Sequence, residues 1–212
     1  MRRKSQTIKF PISVYIILLP LVFNFTSVCH AEEQWSRSKE KPVELLLKVQ
    51  PVTIEKTTSS KYGAKIEMED TTFYAFGLGL NLHDNFNLNL DAAFFTNFDF
   101  KLIDSGGVIN HADVDSMSMN LNIDYNIFKS RFTPLVSAGV GFIRFDGNWD
   151  NTFLGIFSET DFTYNLGVGA RWDVTDTIAF NAIYRNMWVE MKDADDATRF
   201  DGISFNLMLF FK

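Results

Sequence analysis

The sequence is poor in the residues that most catalytic and metal-binding chemistry requires. Its 212 residues include one cysteine, Cys29, and three histidines, His30, His83 and His111. With no cysteine after Cys29, the body of the chain has no disulfide, no thiol nucleophile and no thiolate metal site. The acidic run Asp193, Asp195, Asp196 lacks the glycine turn and closing glutamate of a calcium loop. Gly77-x-Gly79 and Gly139-x-Gly141 precede no helix, so neither is a dinucleotide loop. For acid–base or nucleophilic catalysis the only grouping is His111, beside Asp113 and Asp115, with Ser105 or Ser116, and its spacing matches no mechanism. The sequence therefore predicts no catalytic residue, no metal site, no cofactor and no enzyme.

Positive charge is also short. Arg2, Arg3, Lys4 and Lys9 sit at the extreme N-terminus, and the rest of the chain carries 16 Lys+Arg against 26 Asp+Glu, a net charge of −10. A nucleic-acid partner needs a basic patch, so none is expected. What the chain has in excess is phenylalanine, 22 residues of it, a usage unusual for a soluble domain and natural for a surface facing lipid. Mean hydropathy of −0.03 looks unremarkable. A membrane β-barrel hides its apolar surface in this way, because polar inward residues dilute every strand.

The four basic residues open a secretory signal. An apolar stretch follows from Phe10 to about Val28, and Cys29-His30-Ala31 precedes Glu32, the layout of a cleaved leader over 1–31. Pro11 and Pro20 interrupt the stretch and no basic stop-transfer cluster follows, which disfavours a single transmembrane helix. Bulky Val28 disfavours acylation at Cys29. Residues 32–42 are charged and read as a flexible periplasmic lead-in.

From residue 43 to 212 the dominant signal is alternation. In Gly202-Ile203-Ser204-Phe205-Asn206-Leu207-Met208-Leu209-Phe210-Phe211, successive side chains of a strand point to opposite faces, giving one apolar face and one small or polar face. Seven further segments repeat this, near 43–54, 72–83, 86–98, 113–128, 132–145, 161–173 and 177–191, and the last runs over 199–211. Pro51 removes a ladder donor, so a bulge or early end is expected in the first. The fourth sets Met117, Met119, Leu121, Ile123, Tyr125 and Ile127 against Ser116, Ser118, Asn120, Asn122, Asp124 and Asn126. So many polar residues on one face would ruin a soluble core and would suit a narrow polar lumen.

Turns at Asp84-Asn85, Lys129-Ser130-Arg131 and Thr175-Asp176 are tight and of hairpin type. They alternate with longer polar links near 56–70, 100–112, 146–160 and 193–198. Short periplasmic turns, long extracellular loops and both termini in the periplasm require an even strand number. The predicted fold is all-β, an eight-stranded antiparallel up-and-down transmembrane β-barrel in the cell outer membrane. A soluble lipocalin-like fold would instead have to bury Phe76, Phe86, Phe94, Phe142, Phe180, Phe205 and Trp172 in one core of limited volume.

Strand parity turns six charged residues inward, Glu44, Lys48, Asp91, Asp124, Arg171 and Arg185. Eight strands leave an interior just wide enough for side chains to fill. These groups are expected to pair as a structural plug, since buried charges need partners; an ion-selective or substrate channel is the functional alternative. In the third long loop, Trp149, Phe153, Leu154, Ile156 and Phe157 are apolar where water is expected. They either pack on neighbouring loops or form an exposed tip that contacts a host surface, lipid or apolar solute.

The stretches Pro134-Leu135-Val136-Ser137-Ala138-Gly139-Val140-Gly141, Asn165-Leu166-Gly167-Val168-Gly169-Ala170-Arg171-Trp172 and Ala182-Ile183-Tyr184-Arg185 resemble the small outer-membrane β-barrel family, which includes opacity-type surface antigens and the OmpW- and OmpX-like proteins of Gram-negative bacteria. The resemblance covers most of 72–211. It implies an eight-stranded barrel, roles from adhesion to passage of small hydrophobic molecules, and no shared catalytic residues. The family's assembly signal usually ends on the aromatic itself, whereas here Lys212 follows Phe211. The resulting expectation is a non-enzymatic surface barrel whose loops serve envelope structure, adhesion or surface interaction. Its expected partners are outer-membrane lipid and lipopolysaccharide, the assembly machinery through the C-terminal strand, and a host or environmental ligand at the loops. A narrow channel for small hydrophobic solutes is the alternative, and a lipid-modifying enzyme the third reading.

Overall fold

The computed structural model describes residues 42–59, 64–103, 106–150, 155–192 and 194–211. The expected leader and nearly all of the lead-in therefore lie outside the described residues. Regular structure among the described residues is entirely β: β1 Val43–Ile54, β2 Thr57–Ser59, β3 Ala64–Met68, β4 Thr71–His83, β5 Phe86–Ile103, β6 Ile109–Asn126, β7 Phe132–Trp149, β8 Ile156–Asp173, β9 Ile178–Glu190 and β10 Thr198–Phe211. No helix among them is long and apolar enough to cross a membrane, which says nothing against crossing by strands.

Neighbouring strands pair antiparallel in chain order, and β1 closes the ring by pairing with both β4 and β10. The result is an eight-strand barrel of β1 and β4 to β10 with no open edge, the arrangement in which every backbone polar group in lipid finds a partner. The short β2–β3 hairpin stands on its rim: β3 pairs with the far end of β5, Lys65 opposite Ile103 and Met68 opposite Phe100. It continues along β5 beyond the last β4 partner, Tyr74 opposite Phe94.

Burial alternates along β6, β9 and β10 with a change of face from one residue to the next. Tyr74, Phe76, Leu78, Leu80 and Leu82 of β4 point outward, as do Met117, Met119, Leu121 and Ile123 of β6 and Phe205 of β10. Their partners in alternation, including all six polar residues 116–126 of β6, are buried inside. On β6 the outward apolar run spans Met117 to Tyr125 and gives way to outward Asp115 and Asp113. Nine residues of a tilted strand match the ~25 Å apolar band of an outer-membrane barrel.

Two expectations need correction. The strand through Pro51 neither bulges nor stops: Val49 faces Phe205 and Val52 faces Gly202, an unshifted register. Pro51 points outward, and Gly202, lacking a Cβ, lets the Pro51 carbonyl approach. The second correction concerns the outer links. Strands β5 to β8 continue well past the apolar band, so that much of 100–112 and 146–160 is strand rather than loop.

Candidate functional site

The interior is layered along the barrel axis, and the membrane-level layer is the polar one. Lys48 on β1 and Asp91 on β5 form an ion pair at 3.0 Å. Asp91 also accepts from Asn122 at 2.9 Å and from Asn120 at 3.5 Å. Glu44 on β1 receives Arg171 of β8 at 2.9 Å, together with Asn87 at 2.8 Å. Arg171 donates its Nε to Asp173 at 3.1 Å and lies over the Phe210 ring. Asp124 accepts from Asn89 at 2.8 Å, and Arg185 donates to Ser137 at 3.3 Å. Asn165 donates to Asn122 across β8, β7 and β6 at 3.0 Å. Every one of these charged side chains is buried.

The structure thus places the six inward charges of the parity argument in one connected layer, but not in one set of pairs. Arg185 contacts Ser137 rather than Asp91, whose cation is Lys48. Asp173 belongs to the layer as well. Sequence parity held the signal for it, since Asp173 lies two residues after inward Arg171. Between Lys48, Asp91, Asp124 and Arg185 the residual space is about 10 Å³, roughly what a single water needs.

Below the polar layer, toward the short turns, Leu46, Ala179, Met208 and Phe210 form a small apolar cap. Above it the interior changes character. Val52, Ile54, Ile66, Met68, Phe73, Phe95, Phe98, Val114, Ile143, Phe145, Val189 and Phe200 make a hydrophobic core inside the extended wall. Phe73 stacks on Phe95 with ring centroids 4.5 Å apart. The lumen expected to be polar throughout is therefore polar only at membrane level.

A bulge explains part of this change. On β5, Phe94 faces Met117 and Phe95 faces Ser116, but Phe98 faces Val114, a shift of one residue. One extra residue moves every following side chain to the other face. The even-numbered residues are outward up to Phe94 and inward from Phe98 to Leu102.

At the outer mouth the core opens into a cavity of about 290 Å³ lined by Ile66, Phe100, Leu102, Phe145, Trp149, Phe157, Glu159, Asp161, Met191 and Ala194. Trp149 and Phe157 turn into it and pack on each other and on Phe100, with centroid separations of 5.5, 5.6 and 6.0 Å. They belong to the interior rather than to an exposed tip. Ile156, between them in alternation, is 83% exposed; Phe153 and Leu154 lie outside the described residues.

The outer surface of the extended wall carries ion pairs. Lys56 and Lys65 hold Glu67 at 2.9 and 3.1 Å. Lys101 bridges Glu69 and Asp99 at 3.0 and 3.2 Å, and Arg144 meets Asp146 at 2.9 Å. These contacts raise the Lys101 ammonium and pull the Asp146 carboxyl below the usual range, through hydrogen bonding first to Glu69 and Arg144 respectively. His111 is on strand β6, not in a loop, and its Nδ1 lies 3.2 Å from Asp99. Ser116 is on the opposite, inward face and Ser105 is outside the described residues.

A closed antiparallel barrel with an apolar outer band, tight turns at one end, long strand extensions at the other and an interior that is polar at the level of that band is an integral protein of the bacterial outer membrane. The chain belongs to the family described as outer membrane protein beta-barrel domain, whose sequence profile matches residues 22–211. No curated protein matches it by sequence. Among solved structures it is similar to Neisserial surface protein A, with 13% identity, TM-score 0.57, and coverage of 80% of this chain and 97% of that one. It is also similar to OprG from Pseudomonas aeruginosa, with 14% identity, TM-score 0.56, and coverage of 81% and 97%. At such identities these likenesses show the fold alone.

Proposed function

We propose that the protein is a non-enzymatic surface barrel with a closed lumen, whose extended outer half serves envelope structure, adhesion or surface interaction. The observation that carries this reading is the polar layer. Its ion pairs, Lys48–Asp91 and Glu44–Arg171, join non-adjacent strands inside the barrel with side chains at most 4% exposed. A conduit would need a continuous path, and paired buried charges flanked by apolar side chains above and below work against one. His111, bound to Asp99 on the outer face, has no serine partner among the described residues, which speaks against the lipid-modifying reading.

The ion pairs of the outer wall run from the edge of the apolar band, where Arg144 lies opposite Met117, up to the rim hairpin. Lipopolysaccharide is the partner proposed there, with the assembly machinery acting through β10 and an environmental ligand above the rim.

Planar-bilayer recording of the refolded protein tests the closed lumen. No stepwise conductance is expected, and steady single-channel openings would replace this reading with the channel. Orientation is testable separately, because the chain beyond Cys29 contains no cysteine. In intact cells an impermeant maleimide should label Ile156→Cys and spare Asp176→Cys. The reverse pattern would invert the barrel.

A further inference from the structure

We propose that the cavity at the outer mouth is a binding site for a small organic cation, an ammonium group carried on an aromatic or short alkyl body. The apolar part of the argument is the wall. Trp149, Phe157 and Phe100 form a three-ring cluster at centroid distances of 5.5 to 6.0 Å. Leu102, Ile66 and Met191 complete the lining. A volume of about 290 Å³ takes roughly ten non-hydrogen atoms if each needs about a water's share of ~30 Å³. That is a single-ring or short-chain molecule, not a lipid.

The charge comes from β8. Glu159 and Asp161 are two residues apart, so strand alternation puts both on the inward face. Their partners across the β7–β8 ladder are Phe145 and Ile143, which are apolar. Asp161 is 5% exposed. Among the described residues lining the cavity there is no lysine or arginine; Arg144, opposite Thr160 in the ladder, points out of the barrel to Asp146. Two carboxylates and three aromatic rings lining one partly buried recess favour a positive ligand over a neutral or negative one of the same shape. Ion pairing and the ring quadrupole act in the same direction. The floor is the hydrophobic core, so the site is blind and binding requires no transport through the barrel.

The protein reconstituted in lipid nanodiscs can be titrated calorimetrically with three probes that share one body, 2-phenylethylammonium, 2-phenylethanol and 3-phenylpropionate. The ammonium should bind saturably at one site, the alcohol at least about tenfold more weakly, and the carboxylate not measurably. Glu159→Gln should weaken the ammonium by about tenfold while leaving the alcohol unchanged. Glu159→Gln with Asp161→Asn should abolish the preference. Gly147→Val, whose new side chain meets the Phe157 ring, should weaken both probes together. Heat-modifiable gel mobility verifies that each variant is folded, and the singly substituted Glu159→Gln carries the test if the double variant is not. Equal affinity for alcohol and ammonium, or an ammonium preference that survives Glu159→Gln, would overturn the assignment, as would no saturable ammonium binding by ~10 mM, a generous limit for a fragment of this size. None of these readouts depends on whether the lumen conducts.

Discussion

Glu44 on the first strand and Arg171 on the eighth, 127 residues apart in sequence, meet at 2.9 Å inside the barrel with side chains 0% and 2% exposed. Neither has a charged partner nearby in sequence that would replace the other, apart from Asp173, which shares Arg171 at 3.1 Å. The bond reaches from β1 past β10 and β9 to β8, so it forms only once β1 has closed the barrel on β10.

Removing one member leaves the other charged and buried. Arg171→Met should lower unfolding stability by about 3–5 kcal/mol, whereas Arg171→Met combined with Glu44→Leu should recover much of the loss. Urea unfolding in lipid vesicles measures both. A single variant as stable as the parent would mean the layer is hydrated rather than closed.

Depth in the membrane should matter more than exposure. Leu166 is 54% exposed within the apolar band and Ile156 is 83% exposed beyond it. Leu166→Arg should cost about 2–4 kcal/mol near the bilayer midplane, and Ile156→Arg within about 0.5 kcal/mol of nothing. Folding titrations into vesicles of defined thickness compare them directly. Similar costs at both positions would place the band elsewhere on the wall.

Gly139 sits under the hydrogen bond from Asn165 to Asn122, and a Cβ there would press on both amides. Gly139→Ala should therefore destabilise by about 1–3 kcal/mol, the usual range for overpacking or for an unsatisfied buried amide. Val140→Ala, one residue away on the lipid face, tests whether the effect belongs to the interior. Midpoints from thermal gel shift rank the two.

The rim hairpin should be acid-sensitive. Glu67 is held below its ordinary value of 4.5 by hydrogen bonding, first from Lys56 and then from Lys65. A lowered folded value contributes stability that is present above the unfolded value and is lost as pH falls through the folded one. Amide exchange of Ile66, corrected for its intrinsic rate, should be flat from pH 7 to 5 and accelerate below 4.5. Lys56→Met with Lys65→Met should flatten that dependence.

The barrel was legible in the sequence, because period-two alternation came with too many outward aromatics for one soluble core and with tight turns alternating with long links. Met117 to Ile127 apolar against Ser116 to Asn126 polar is readable without any partner strand, and tight turns alternating with long links set strand number and orientation. Parity likewise turned six charges inward, though Asp173, Asp161 and Glu159 are inward as well. Which of them touch was decided only in three dimensions. Glu44–Arg171 and Lys48–Asp91 depend on the stagger between strands, which no single strand encodes, and Arg185 accordingly meets Ser137. The outer half was hidden for a different reason. Above the membrane the apolar face turns from lipid to core, and on β5 the bulge between Phe95 and Phe98 accomplishes that turn although Phe94, Phe98 and Phe100 are all even-numbered in sequence. Alternation reports that two faces differ, but water or lipid outside the wall decides which face is the interior. Only the folded barrel sets where that boundary falls.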